Sequence, residues 1–539
     1  MPYPLRRRAP ATATTRRRPP PAPTSTADLP KDPRHAGDRK GQFARTGPRT
    51  VLTSPSPIGR ASKLRSTAVR RGPGADSRRS AERLTAADAR MLQAESALVV
   101  GHTLKVILLD RPAGGDLLPA VRARLASRLA RVPRFRQRLV EVPFGLGRPV
   151  WAEDPAFDLD RHVRGISAPQ PIDAAGLRSL VAEHMVQRLD RDRPLWSVDV
   201  VGPLEADRVA LLWKIHHSVA DGLGVLAIAE QLLWDGQDED LDTPTRTAAA
   251  PSPLPLPSGT RLVADALGDH GRTLGGWVTR PWLRRGPAGR VSDRRTELQV
   301  IARELLPVSP GSPLDARIGR ERRVAFVDRP LEEVREVAHA AARRAGMKVT
   351  INDVVLAAVA GGVRSWLQAR HAELADVRVS VPVALHHERE PHVLGNDVCD
   401  VYLTLPIHEA DPVRRLLQLN AQMRQRKEDG DAEALDRLSR TVGPAGQLLG
   451  ELESSARTFG LAVSNVPGPG QPVSVAGAPV RALHSIAEIA QRHALRVAVV
   501  SYDGQISFGL CADAAAVPDL DVLADGVAQA AGELAGRLL

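Results

Sequence analysis

The side chains with the most evident capacity for chemistry lie together at His216-His217-Ser218-Val219-Ala220-Asp221-Gly222. A neutral imidazole takes up a proton near working pH, so a histidine aimed at a hydroxyl group is suited to general-base catalysis, which typically contributes about 10²–10⁴ in rate. Transfer of an acyl group from a thioester to an alcohol requires such a base. Asp221 follows His217 by four residues, near enough in a turn to fix its geometry through hydrogen bonds or an ion pair. Gly222 carries no side chain and lets backbone or substrate approach closely. A bland reading stands beside this one, because paired histidines also occur as partly exposed surface or satisfied core residues.

The flanking sequence predicts how the pair is held. Arg208 to Ile215 (RVALLWKI) is rich in β-formers and ends at the histidines, while Leu223 to Trp234 has helical period. The histidines therefore sit at the rigid end of a strand, where a side chain can be aimed. Ordered sequence begins near Leu84. A strand is expected over His102–Asp110, and helices over the Leu118, Val121, Leu125, Leu129 stripe and over Asp173–Leu189. From Asp235 to Gly259 the chain turns acidic and then Pro/Ala/Ser-rich, ending in PSPLPLPSG, an extended linker. Arg261 to about Leu305 reads as helical. A second unit starts near Arg322 with the strand VAFVD. Helices follow over Leu331–Ala345, stopped by Gly346, and over Asn352–Leu367. Strands are expected over Val377–Val383 and Asp400–Leu405. LRVAVVSY and QISFGLC flank Asp503-Gly504, a strong hairpin signal.

Length and charge narrow the class. The 539 residues suit two or three domains. Residues 1–80 hold 19 Lys and Arg against 4 Asp and Glu, so the remainder is close to neutral at −3 and nucleic acid is discounted as a partner. With eight Leu, Ile, Val or Phe, the first 80 residues bury too little apolar surface to offset their ordering entropy and are expected to be a disordered basic tail. That tail is either dispensable, the reading composition favours, or a polybasic arm for anionic lipid. Cys399 and Cys511 are too few for a disulfide framework, and no metal is implied because no ligand cluster has usable spacing. No run reaches the ~18 apolar residues of a membrane span, and no apolar stretch follows the N-terminal arginines as a secretory signal requires. A cytoplasmic location with contact to a membrane surface is expected.

The segment HHSVADG resembles the HHxxxDG site of the chloramphenicol acetyltransferase-like superfamily. Its surroundings resemble one branch, the wax ester synthase/diacylglycerol acyltransferases. The similar segments are ARMLQAES near residue 90, RLVEVPFGLGRPVWAEDPAFDLDRHVR (138–164), Pro194-Leu195-Trp196, TINDVVLAAVAGGVRSWL, VPVAL and LGNDV, SNVPGP (464–469), and SYDGQISFGLCADAAAVPDLD. Their order and spacing across roughly residues 83–535 carry the resemblance. It implies an α/β fold of two chloramphenicol acetyltransferase-like subdomains, each a mixed sheet with flanking helices, joined by a long linker. The expected division is a tail at 1–80, an N-terminal acyltransferase subdomain at 81–240, a linker with helical segments at 241–320 and a C-terminal subdomain at 321–539.

The resemblance further implies direct transfer from fatty acyl-CoA, as substrate and with no cofactor, to diacylglycerol or a long-chain alcohol through a ternary complex. The work would be done at a membrane or lipid-droplet surface. His217 would be the base, supported by His216 and Asp221, with Gly222 keeping the channel open. Asn352 and Asp353 of the ND motif, Trp196 and Glu95 carry over as supporting residues. Trp196 also reads as core packing and Asn352 as a helix N-cap. Asn465 in SNVPGP either sits beside the acyl carbonyl or shapes a Pro/Gly turn, and composition favours the turn. Ser464 is a candidate oxyanion donor. Asn396 reads as structural and His386-His387 as surface. Asp315-Ala316 stands where the family more often has Asn-Gly, altering a turn near the presumed cleft mouth. Two other readings are a condensation-type enzyme acting on another alcohol or amine, and a lipid-surface binding protein with a decayed site.

Overall fold

The computed structural model describes residues 81–112, 116–236, 255–269, 311–384, 398–429 and 458–539. The basic tail, most of the 241–320 linker, His386-His387 and Asn396 lie outside the described residues.

In chain order the first half contains β1 (Ala81–Arg83), α1 (Ala86–Gln93), β2 (His102–Asp110), α2 (Leu117–Arg128), β3 (Gln137–Val140) and β4 (Val150–Glu153). It continues with the single turn α3 (Leu159–His162), then β5 (Val163–Ile172), α4 (Ala174–Val186), β6 (Trp196–Leu204), β7 (Arg208–His216) and α5 (Gly222–Leu232). Residues 259–269 are helical. The second half begins with β8 (Arg322–Pro330), α6 (Leu331–Ala345), α7 (Ile351–Ala369), β9 (Val377–Ala384), β10 (Val398–Leu405) and α8 (Pro412–Glu428). It ends with β11 (Leu461–Val466), β12 (Ser474–Val475), β13 (Ala478–Ala487), β14 (Leu495–Tyr502), β15 (Gln505–Asp513) and α9 (Leu520–Leu538).

The strands form two six-stranded mixed sheets, ordered β12-β13-β2-β7-β6-β5 and β10-β9-β11-β14-β15-β8, beside a small β1-β4-β3 sheet. The first large sheet is not built from the first half alone. β13, nearly 380 residues after β2 in the chain, pairs antiparallel with it (Ile486 opposite Leu104).

Alternation along β7 explains the core. Val209, Leu211, Trp213 and Ile215 face one cluster, which Val225, Ile228, Ala229 and Leu232 of α5 complete at helical spacing. Ala210 and Leu212 face the other way, into a cluster that also holds Leu104, Val106, Leu177, Val181 and Met185. Val324 and Cys511 of the second sheet and Ile486 of β13 belong to that same cluster. The two sheets therefore share a hydrophobic core, each full aliphatic burial contributing about 1.5–3 kcal/mol. By the same alternation Lys214 and His216 continue the face turned toward the second half.

The second half has its own core, in which Val379, Val401, Leu461, Val497 and Leu510 pack beneath α7 and α9. Gly346 ends α6 in the left-handed conformation at φ 66°. Asp503 (φ 42°) and Gly504 (φ 76°) make the tight β14–β15 turn with both central residues at positive φ, as a two-residue I′ hairpin requires.

Candidate active site

His216 ends β7 and is 1% exposed. Its Nδ1 accepts a hydrogen bond from the backbone N–H of Ser218 at 3.0 Å and lies 2.7 Å from the Ser218 hydroxyl oxygen. A backbone N–H can only donate, so the ring proton sits on Nε2, which donates to Glu95 Oε1 at 2.6 Å. Glu95 is in turn held by Arg188 at 2.6 Å and Arg191 at 3.0 Å. Burial pushes its carboxyl up, but the bond from His216 and the charges of Arg191 and Arg188 outweigh this and hold it below the usual range. Both nitrogens of His216 are thus committed, and its ring is fixed in orientation and tautomer.

His217 leaves the strand with its backbone N–H donating to Gly101 O at 2.9 Å. The residue as a whole is half-buried, with its Nε2 buried. Burial, and then the positive charges of Arg496 and Lys105, hold its pKa well below that of a free imidazole, so it is neutral at neutral pH. Lys105 is itself buried, donates to the Ser485 hydroxyl at 2.5 Å, and has its pKa lowered to about 8 by burial. His102, the cross-strand neighbour of His216, is fully buried, and burial with the charge of Lys214 drives its pKa down.

Gly101 is in the left-handed region at φ 71°, and a Cβ there would lie 2.4 Å from His216 Nε2. A side chain is therefore excluded both by backbone strain and by the histidine. Its N–H and that of Val100 both donate to the carboxylate of Glu488, which is 4% exposed just beyond the end of β13.

Asp221 is the N-cap of α5, its carboxylate accepting from Gly224 N at 2.7 Å. It thereby fixes where strand gives way to helix directly after the histidines. A Cβ on Gly222 would lie 2.6 Å from Val466 Cγ2. The missing side chain lets the histidine loop pack against the SNVPGP segment of the second sheet. Asn465 lies within β11, opposite Val499 of β14, so the turn reading is corrected: the Pro/Gly turn starts after Val466. Ser464 pairs with Ala498 in the same strand.

The other predicted residues fall into structural settings. Trp196 is 1% exposed and stacks between Phe135 (4.7 Å) and His162 (4.6 Å), its Nε1 donating to Phe135 O. Thr350, not Asn352, is the N-cap of α7. Asp353 closes a capping box by accepting from Thr350 N at 2.8 Å, and it also accepts from Asn420 Nδ2 at 2.9 Å. Asn352 lies half-buried in the first turn of α7.

Glu488, Lys105 and Arg496 were not among the residues singled out from sequence. Arg496 of β14 has its pKa lowered by burial, opposed by the nearby Asp400 and Glu488. Among the described residues no His, Cys, Asp or Glu cluster could hold a metal ion, and no helix is long and apolar enough to cross a membrane.

Two family models match the chain: the wax ester synthase/diacylglycerol acyltransferase catalytic domain over residues 84–355, and the corresponding C-terminal domain over 394–535. A protein of Mycobacterium tuberculosis described as a putative diacylglycerol O-acyltransferase is 34% identical over 455 residues, covering 81% of this chain and 93% of that one. Another from that organism, described as a probable diacylglycerol O-acyltransferase, is 30% identical over 467 residues, covering 84% and 95%. The solved wax ester synthase/diacylglycerol acyltransferase of Marinobacter aquaeolei superposes with a TM-score of 0.58 at 26% identity, over 84% of this chain and all of that one. A condensation domain of the calcium-dependent antibiotic synthetase shares the fold, with a TM-score of 0.52 at 20% identity over 85% and 97%. The chain belongs to the wax ester synthase/diacylglycerol acyltransferase family and is an acyltransferase.

Proposed function

We propose that the chain transfers a fatty acyl group from acyl-CoA to the hydroxyl of diacylglycerol or a long-chain alcohol, with His217 as general base. The observation that carries this is the division of labour between the two histidines. His216 has both ring nitrogens committed to Glu95 and Ser218, whereas the adjacent His217 is kept neutral by burial and by cationic neighbours. The neutral ring takes the proton from the acceptor hydroxyl as its oxygen attacks the thioester carbon. The C–S bond then breaks, and the thiolate leaves with the proton that the imidazolium returns. No acyl-enzyme forms, and acyl-CoA enters as substrate without a further cofactor. The names of the mycobacterial relatives favour diacylglycerol, and the Marinobacter structure's name adds wax esters. Acceptor and product are oily, so the enzyme acts at a membrane or lipid-droplet surface on the cytoplasmic side.

The test is release of free CoA from palmitoyl-CoA, offered diacylglycerol and hexadecanol separately, with wild type beside His217→Ala. Release driven by either acceptor and lost in the variant, by about 10²-fold or more, is the expected result. Folded wild-type protein that releases CoA with neither acceptor overturns the lipid assignment and brings forward an amine or another alcohol.

A further inference from the structure

We infer that Glu488 is a positioning residue for acyl transfer: from the second half of the chain, its carboxylate clamps the Val100–Gly101 peptide against which both histidines are set. The inference rests on His217 as the base. Three contacts converge on this peptide. Both of its N–H groups donate to the two oxygens of one Glu488 side chain. Gly101 O accepts the backbone N–H of His217 at 2.9 Å. The Cα of Gly101 abuts His216 so closely that a Cβ would lie 2.4 Å from Nε2. Glu95, which orients that same Nε2, begins the segment that Gly101 ends. Displacement of the peptide therefore shifts the backbone of one histidine and the orienting partner of the other.

A buried carboxylate is costly unless its oxygens are satisfied, so its presence here needs a reason beyond packing. The charged and titratable groups that face it are Arg322, Arg496 and the Cys511 thiol. Arg322 also donates to Leu98 O at 2.6 Å, holding the same segment two residues earlier, and lies 3.8 Å from Asp513. Burial raises the Glu488 carboxyl to about 7, opposed by the two backbone donors and the two arginines. A proton on Glu488 removes one of the two acceptors, and the clamp loosens. Glu488 then titrates closer to neutrality than the base, whose own pKa is held well below 6.5.

The test compares wild type, Glu488→Gln, Glu488→Asp and His217→Ala in the CoA-release assay across pH, with melting temperatures measured in parallel. The wild-type acid limb of kcat/KM should have its midpoint near 7. Glu488→Gln keeps the shape but turns an amide N–H₂ toward a backbone N–H. Its kcat should fall about 10²-fold with little change in KM for acyl-CoA, and its remaining activity should lose the limb near 7. Glu488→Asp, which keeps the charge, should recover part of kcat. Wild-type kcat in Glu488→Gln, a limb that stays near 7 in that variant, or equal losses in the Gln and Asp variants would each overturn the positioning role. Turnover that survives His217→Ala sinks the base and the positioning role together, whereas loss in His217→Ala with an unaltered Glu488→Gln sinks the positioning role alone.

Discussion

At the scale of single residues, the histidine pair is asymmetric, and the asymmetry is set by what each ring touches. His216 is a strut: a backbone N–H fixes its tautomer and Glu95 fixes its tilt. Glu95→Gln leaves the shape unchanged but opposes an amide N–H₂ to Arg188 and Arg191. Hydrogen bonds to charged groups contribute about 1.5–3 kcal/mol, so kcat should drop about 10- to 100-fold, with a circular dichroism spectrum like wild type. Equal turnover in the two proteins would mean that His216 needs no anchor. The motif itself was legible because His, His, Asp and Gly stand within seven residues of one another in the chain. Glu488, Lys105 and Arg496 are distant in sequence and belong to no contiguous motif. They did leave a signal, an ionisable side chain set within an apolar run: Lys105 in HTLKVILLD, Glu488 in SIAEIA, Arg496 in LRVAVV. Burial of such groups costs enough that they persist only where partners wait for them.

At the scale of elements, periodicity located β2, β7, β9, β10, the β14–β15 hairpin and helices α2 and α4 to α7, because alternation and helical spacing are local properties, whereas β5, β6, β11, β13, α8 and α9 were not singled out. β2 spans His102–Asp110 as expected, and β7 ends on the histidines. What periodicity could not supply was the role of terminal residues. Asn352 and Asp353 look alike in sequence as one motif, yet Thr350 caps α7 and Asp353 answers it. Asp353→Ala removes half of that box and one of the two acceptors of Asn420 Nδ2, which keeps its bond to Lys348 O, so it should destabilise the protein by about 1–3 kcal/mol in chemical denaturation, with turnover per folded molecule preserved. Loss of turnover at full stability would instead place Asp353 in the chemistry. Asn465 was drawn toward a turn by the prolines after it, whereas parallel pairing with β14 keeps it in a strand. That pairing is non-local and leaves no trace in the segment SNVPGP.

For the whole molecule, the two sheets share a core, so one group's charge bears on the stability of the entire fold. Asp315, in the turn Pro313–Asp315, has its carboxyl raised to about 6, chiefly by burial. A carboxyl whose folded pKa is raised favours the fold while protonated. That contribution is fully present below the unfolded pKa of 3.8 and is lost as pH rises through 6. Asp315→Asn should therefore raise the melting temperature above pH 6 and leave it unchanged below pH 4. A uniform shift across that range would deny the titration any part in it.

The placement of β13 also bears on how the chain is made. β2 and β7 emerge from the ribosome more than 250 residues before Ala487 does. At about 5–20 residues per second, β2 lacks β13, its second antiparallel neighbour after β7, for roughly 19 s or more. Throughout that time it presents a row of unpaired N–H and C=O groups, the kind of edge on which nascent chains associate with one another. The Val100–Gly101 peptide likewise has no carboxylate to hold it until Glu488 is synthesised. Translation of the second half thus completes the first, and a chain cut short before β13 carries the histidines on an unfinished sheet.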